Sequence, residues 1–189
     1  KESSPFTYTS FESDLKLQSG AILDPMNMNL KLNGHLYLTG YKQGTYNLEA
    51  GFDLFHFKNW LSDMRVFARY SSEKPFYLYS RYYSNYFNWD NHFKPVKKLQ
   101  LSLKYSHSPK KFRSELNYSL LRGYIYFDQD AFPRQYNPGL SVVEYKLSKS
   151  FQFWKFYSLN KIALQYVNNE TILALPNVSY LNSTFFKQH

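Results

Sequence analysis

Charged side chains recur at alternate positions along much of this 189-residue chain, with apolar residues between them. Residues two apart project from the same face of an extended strand, so this spacing would gather the charges on one surface. Basic residues outnumber acidic ones there, and a basic surface attracts anions and slows cations. The alternative is that the charges only solvate a polar interior. The set comprises Lys31, His35, Glu49, Asp53, Arg65, Arg69, Arg81, Lys98, Lys104, Arg113, Glu115, Glu144, Lys146 and Lys161.

Residue types that carry catalysis or bind metals show no recognisable spacing. No two of the five histidines stand four residues apart on a helical pattern or at zinc-ligand spacing. His35 with a serine and an acid could in principle act as a hydrolase, but strands rich in Ser and Asp supply such trios by chance. Asp128 and Asp130 offer too few carboxylates to predict a calcium site. We therefore predict no enzyme activity, no cofactor and no metal.

Nucleic acid is a competing partner for a chain that has a formal net charge of +9 and 21% aromatic residues. Single-strand binders combine basic grooves with stacking aromatic rings. Here the basic residues are spread over many segments, and the aromatic residues cluster at segment ends. The sequence therefore predicts no nucleic-acid partner.

The clearest structural pattern is a pair of alternating runs, 28–40 and 46–54, which would position several of the charges. Apolar residues and glycine fill the even positions, and polar residues fill the odd ones. This is strand periodicity, and Gly44 allows the positive φ of a tight hairpin turn. Each strand should be about thirteen residues long, whereas a membrane crossing needs about 9–11. No charge falls on the even face, where a basic residue at mid-bilayer would cost about 2–4 kcal/mol.

Composition agrees with strands that cross a membrane. The chain is 43% hydrophobic, yet its mean hydropathy is -0.55, as expected when apolar outer faces alternate with a polar lumen. Its 19 Tyr and 17 Phe suit the aromatic girdles at membrane surfaces. There is no run of about 18 apolar residues, which argues against a transmembrane helix.

The alternating pattern continues to the end of the chain and predicts nine or ten consecutive strands. Short connections are expected at 42–44, 71–75 and 108–111, and longer ones at 57–63, 88–95 and 127–139. This alternation of short and long connections is typical of transmembrane barrels. We therefore predict one all-β domain over 1–189, an antiparallel up-and-down transmembrane β-barrel. Further strands are predicted near 64–70, 76–87, 98–105, 113–120, 143–148, 151–157, 162–166 and 178–186.

Two segments resemble a known family. The segments YSSEKPFYLYSRYYSNYFNWDN, Tyr70 to Asn91, and LNKIALQYVNNETILALPNVSYLNSTFFK, Leu159 to Lys187, resemble the putative porin family of Bacteroidetes outer membranes. Members of that family are longer than this chain, so the resemblance implies that the chain holds part of a larger barrel. The last strand is also followed by Lys187-Gln188-His189 rather than ending in an aromatic residue, which implies the same.

The leading hypothesis is a non-enzymatic outer-membrane barrel for passive diffusion of small hydrophilic solutes, with a lumen biased toward anions. Its partners would be outer-membrane lipid, the solutes and other outer-membrane subunits. One alternative is a structural or accessory barrel subunit of a larger complex, and conductance in planar bilayers would separate the two. Another is a soluble antiparallel β-protein that binds glycans with its aromatic residues. That protein would purify without detergent, and its apolar strand faces would be covered.

Overall fold

The computed structural model of this chain describes residues 14–23, 28–54 and 62–187, which form antiparallel β-structure almost throughout. The elements are β1 (Asp14–Leu23), β2 (Met28–Tyr37), β3 (Tyr46–Leu54), β4 (Ser62–Glu73), α1 (Tyr77–Ser80), β5 (Arg81–Tyr83), β6 (Asn88–Asp90), β7 (Val96–His107), β8 (Phe112–Arg122), β9 (Tyr124–Phe127), β10 (Pro133–Tyr136), β11 (Leu140–Phe153), β12 (Phe156–Val167) and β13 (Val178–Phe186). In this part of the chain, no helix is long and apolar enough to span a membrane.

Nine strands form one antiparallel sheet in the order β1-β2-β3-β4-β7-β8-β11-β12-β13. Each strand pairs with its neighbours along the chain, apart from the short strands of the connections, so the sheet is up-and-down. This confirms the predicted all-β, antiparallel class, and the number of strands is within the predicted nine or ten. The predicted strand over 151–157 is wrong, because the turn at 154–155 divides it between β11 and β12. β1 and β13 are the edges, so the sheet formed by the described residues is open.

The opening hairpin forms where the alternation predicted it. β2 and β3 pair from Met28 opposite Leu54 to Leu36 opposite Tyr46. The turn places Gly44 at a φ of 79°, a conformation that glycine adopts without steric cost, as predicted. β2 is ten residues long rather than about thirteen, because positions 38–40 belong to the turn, and β3 is nine residues long.

The predicted strand over 76–87 is wrong. After β4 the chain makes the single helical turn α1 and then the small hairpin β5–β6, which lies outside the nine-stranded sheet. An uninterrupted aromatic run has no alternation to fix one face, and here its rings pack on one another. Tyr82 stacks on Trp89 with ring centroids 4.9 Å apart, and the Trp89 indole N–H donates to the Leu78 carbonyl at 2.9 Å. The predicted turn at 71–75 also begins later, because β4 continues through Glu73.

The long connections lie together at one end of the sheet, because successive strands run in opposite directions. We call this end the long-connection rim; it carries 38–45, 74–95, 123–139 and 168–177, whereas 108–111 and 154–155 lie at the opposite rim. The sequence predicted that the opening turn and 108–111 lie at the same rim. The predicted strand over 76–87 is the reason, because one extra strand moves every later connection to the opposite rim. The predicted connection at 57–63 falls mostly outside the described residues, and its last two residues begin β4.

Two of the long connections are joined to each other. The connection 123–139, predicted as a loop, contains the small hairpin β9–β10. The Gln135 side chain accepts a hydrogen bond from the Lys94 N–H at 3.0 Å and donates one to the Lys94 carbonyl at 2.7 Å. The Phe132 ring packs edge-on against Phe87 and Trp89. Connections 74–95 and 123–139 therefore form one aromatic unit.

The two faces of the sheet differ sharply in character. One face, here called the apolar face, carries exposed aliphatic side chains, including Leu48 at 52% and Leu103 at 41% exposure. Among the described residues, the buried apolar side chains are Leu140, Val167 and the two prolines Pro75 and Pro133. The even face of the opening hairpin is thus open, with Leu32 and Leu36 also exposed. A soluble sandwich would cover such a face, so the fold argues against that alternative.

Candidate functional site

The opposite side of the sheet, here called the charged face, collects the alternating polar residues of successive strands. Residues that lie opposite each other on paired strands project to the same side of the sheet, so the polar positions of one strand lie beside the polar positions of the next. A single row across five strands shows the result: it runs through Asp53, Arg65, Lys104, Glu115 and Lys146. The two-residue spacing in the sequence therefore becomes a continuous charged surface.

The first group on this face, the Asp53 cluster, joins three strands through one carboxylate. Lys31 on β2 approaches one Asp53 oxygen at 3.2 Å, and Arg65 on β4 donates from Nε to the other oxygen. The Asp53 side chain is 4% exposed, whereas both cations remain about half exposed. The carboxylate is therefore shielded by two bases that still contact solvent.

A second group lies farther along the same strands. Arg69 donates from Nε to Glu49 at 2.8 Å, and the Asn47 amide donates to the same carboxylate oxygen at 2.9 Å. His35 lies beyond them, with its ring 4.4 Å from the Tyr37 ring, and lines a cavity of about 290 Å³. The acids on β3 are therefore both held by basic partners.

A third group surrounds Glu144 on β11. Its carboxylate accepts hydrogen bonds from Gln165 at 2.7 Å and from Asn117 at 3.0 Å, and the Lys146 ammonium lies 2.7 Å away. The Asn117 amide also donates to Glu115 at 2.9 Å. Neutral amides thus share these carboxylates with lysine.

Other basic residues of the charged face differ in whether they have a partner. Lys104 lies 3.4 Å from Glu115. Within the described ranges, Lys98, Arg113 and Lys161 have no acidic side chain at ion-pair distance. These three cations are therefore available to mobile anions.

Arg81 does not belong to the charged face. It lies in the β5–β6 hairpin, where its guanidinium contacts the Asp90 carboxylate at 2.9 Å. Its predicted position on the charged face depends on a strand over 76–87, which does not form. All the other predicted site residues lie on strands of the nine-stranded sheet.

The two aspartates considered as calcium ligands form a turn instead. The Asp128 carboxylate accepts the backbone N–H groups of Asp130 and Phe132 and the Arg134 guanidinium, which is 2.8 Å away. The hydrogen bond from Arg134, followed by that from the Phe132 N–H, lowers the pKa of Asp128 below its usual range. In the part of the chain that the structure describes, no three His, Asp or Glu residues come together as metal ligands.

The amides that complete these groups were missed from the sequence. Asn117, Gln165 and Asn47 occupy the same alternate positions as the charged residues. The predicted set contains only ionisable side chains, although an amide can donate two hydrogen bonds to a carboxylate. Counting every polar residue at the alternate positions would have included them.

A polar patch lies on the apolar face where β12 and β13 approach the rim that carries 154–155. The Asn182 amide donates to Asn160 at 2.7 Å and to Ser158 at 3.2 Å, and the Thr184 hydroxyl bonds the Ser158 hydroxyl at 3.3 Å. These groups satisfy one another, which lowers the cost of placing them on an apolar surface.

Comparison with known proteins gives one finding that covers nearly the whole chain. The model of a family described as Putative porin matches residues 8–189. No curated protein and no solved structure matches. The family match includes every strand that contributes to the charged face.

Proposed function

This chain belongs to the putative porin family, and from that premise we propose that it forms part of the wall of a barrel through which small hydrophilic solutes diffuse passively. Membership in this family supports a location in the bacterial outer membrane and a non-enzymatic channel. In this proposal, the charged face lines the aqueous path and the apolar face contacts lipid.

The observation that carries the proposal is the contrast between the two faces of the same strands. Leu103 is exposed on the apolar face, while the adjacent residues Ser102 and Lys104 project to the charged face. Exposed apolar area costs about 25 cal/mol per Å² in water, whereas lipid contact removes that cost. Strands that alternate apolar-out and polar-in are the pattern of outer-membrane barrels.

The open edges of the sheet support a larger barrel. A bilayer leaves unpaired backbone N–H and C=O groups without partners, at a cost of several kcal/mol for each group. We propose that further strands pair with β1 and β13 in the membrane. The exposed residues along β13 would then be covered on the edge side.

The balance of charge supports an anion preference. With Arg81 removed, eight basic residues of the predicted set remain on the sheet, against four acidic ones. Several bases are neutralised by neighbouring acids, so the bias comes chiefly from Lys98, Arg113 and Lys161. Cations fixed along an aqueous path raise the local concentration of anions.

Planar-bilayer recording tests this function directly. The complete barrel, this chain together with the strands that pair with β1 and β13, is purified, folded in detergent and inserted into a bilayer under a KCl gradient. It should conduct with a reversal potential displaced toward the chloride equilibrium value. A displacement toward potassium would disprove the anion bias. Folded protein that inserts without conducting would disprove the diffusion channel and favour the structural-subunit alternative.

A further inference from the structure

Three residues on neighbouring strands bring two unpaired cations to the sides of one hydroxyl. Arg113 on β8 is the register partner of Ser148 on β11, which is in turn the partner of Lys161 on β12. Adjacent strands lie about 4.8 Å apart, so the two cations begin about 10 Å from each other. Both side chains are long enough to bend toward the space above Ser148.

The nearby acids do not neutralise this pair. Glu115 is engaged by Lys104 and Asn117, and Glu144 lies against Lys146. Asp63 lies in the same cross-strand row but is separated from Arg113 by the whole of β7. The positive charge of the three-residue group is therefore uncompensated within the described chain.

Open space lies above the group. A cavity of about 460 Å³ is lined by Arg113, Ser148 and Lys161, together with Lys146, Ser179 and Glu115, the acid that Lys104 and Asn117 engage. Ala163 and Ser179 are small, so the space between β11, β12 and β13 is not filled by side chains. The volume accommodates a small anion together with several waters.

The Asp53 cluster shows what this arrangement is suited to hold. There, a lysine and an arginine on the two outer strands grip a carboxylate that the middle strand supplies. At Arg113 and Lys161 the outer cations are again present, but the middle strand supplies the Ser148 hydroxyl. A hydroxyl donates to an oxyanion instead of neutralising the cations itself.

We propose that Arg113, Ser148 and Lys161 form a binding site for an oxyanion group, a carboxylate or a phosphate, carried by solutes that pass along the charged face. The proposal rests on the proposed function in so far as this face meets solute. Arg113 donates two hydrogen bonds to two oxygens of the group, Ser148 donates one, and Lys161 adds a mobile point charge. Chloride is a single atom, so it cannot accept the two parallel hydrogen bonds that the Arg113 guanidinium donates to two oxygens of an oxyanion.

The test compares oxyanions with chloride in single-channel recordings. Inorganic phosphate or acetate, added to a KCl bath, should reduce the chloride current of the wild-type channel by occupying the site. In the double variant Arg113→Gln and Lys161→Gln, the half-inhibitory concentration should rise by about tenfold or more, because charge-assisted hydrogen bonds are lost. Inhibition by phosphate, by acetate or by both supports the site, and the stronger of the two gives the preferred solute class.

A control variant removes the same formal charge elsewhere on the face. The double variant Lys31→Gln and Arg69→Gln alters two cations that already have acidic partners. It should leave the half-inhibitory concentration within about twofold of wild type. An equal loss of inhibition in both double variants would mean that the effect is general electrostatics, and it would overturn the site.

The site can fail independently of the channel. Conductance without any inhibition by phosphate or acetate would overturn the site and leave the diffusion channel intact. If the folded protein does not conduct, titration of inorganic phosphate into detergent-solubilised protein, followed by ³¹P NMR, still decides. Binding that is lost in the Arg113 and Lys161 variant supports the site, and absence of binding to wild type overturns it.

Discussion

On β3, Asp53 lies between Lys31 and Arg65, whereas on β11, Ser148 lies between two cations that have no acidic partner in the described chain. Both places have three antiparallel strands with cations on the outer two, although Lys31 reaches Asp53 diagonally whereas Lys161 is the register partner of Ser148. The middle strand supplies a carboxylate in the first place and a hydroxyl in the second, and only the carboxylate neutralises charge within the protein. Net charge is therefore a poor guide to where a mobile anion meets this sheet.

The comparison divides the charged face into two halves. The half formed by β2, β3 and β4 holds Asp53 and Glu49, and both have basic partners. The half formed by β8, β11 and β12 contains the unpaired Arg113 and Lys161. We expect the first half to contribute mainly to stability and the second mainly to selectivity.

The variant with the largest expected effect tests whether the charged face, in either half, is the face that meets water. Leu103→Arg places a cation on the apolar face of β7, which lies between the two halves, and should lower the free energy of unfolding in lipid by about 2–4 kcal/mol. The neighbouring Ser102→Arg places the same cation on the charged face and should cost much less. Denaturant titration in lipid vesicles measures both. Equal losses would remove the distinction between the faces and, with it, the comparison of the halves.

Removal of Asp53 should have the next largest effect. Asp53→Asn leaves Lys31 and Arg65 without their shared carboxylate, and charge-assisted hydrogen bonds are worth about 1.5–3 kcal/mol. The free energy of unfolding in lipid should fall by about that amount, and the reversal potential should move further toward chloride. Asp130→Asn, in a connection, removes the same charge and should change the unfolding free energy by less than about 0.5 kcal/mol. A selectivity unchanged by Asp53→Asn would show that the paired half does not line the path.

A smaller effect is expected in the half formed by β8, β11 and β12. Glu144→Gln removes the carboxylate that lies 2.7 Å from the Lys146 ammonium, so Lys146 becomes free to turn into the cavity beside Arg113 and Lys161. The half-inhibitory concentration of phosphate should fall, by about two- to fivefold, since each added cation strengthens anion binding. Glu49→Gln frees a base in the paired half and should leave phosphate inhibition unchanged. If both variants strengthen inhibition equally, phosphate responds to the total charge of the face, and the distinction between the two halves is wrong.

The smallest expected effect concerns Asp128, which lies in a connection outside both halves. Since the pKa of Asp128 is lowered, its contacts with Arg134 and with the Asp130 and Phe132 N–H groups stabilise the turn at neutral pH. That contribution should be lost only as the pH falls through the lowered pKa. Hydrogen exchange should then show reduced protection of those two amides. Asp128→Asn should reproduce the loss at neutral pH, and unchanged protection in that variant would contradict this role.

Much of this fold could be predicted from the alternation of residue types. The opening hairpin, the two-faced sheet and Gly44 in its turn all follow from a period of two and from one residue that tolerates positive φ. The run 76–87 could not be placed, because aromatic residues favour strands without specifying a face. Its rings pack against connection 123–139, and this contact between distant segments cannot be predicted from the local sequence pattern.

The candidate site was predictable as a set of residues but not as a set of partners. Alternation put Asp53 and Arg65 on the same face, yet their contact depends on the register of β3 against β4. Lys31 reaches Asp53 diagonally, two residues away from its own register partner, Gly51. The isolation of Arg113 and Lys161 likewise appears only when the neighbouring acids are seen to be engaged elsewhere.

The amide of Gln135 has a practical consequence for following this protein in the membrane. Its two hydrogen bonds to Lys94 join the long connections in a chain that contains no cysteine. A single thiol introduced as Tyr86→Cys, at the tip of the β5–β6 hairpin where the native side chain is 90% exposed, would be the chain's sole labelling position. A fluorophore there would report the tilt of both connections at once, and Gln135→Ala would show how far that signal depends on one side chain.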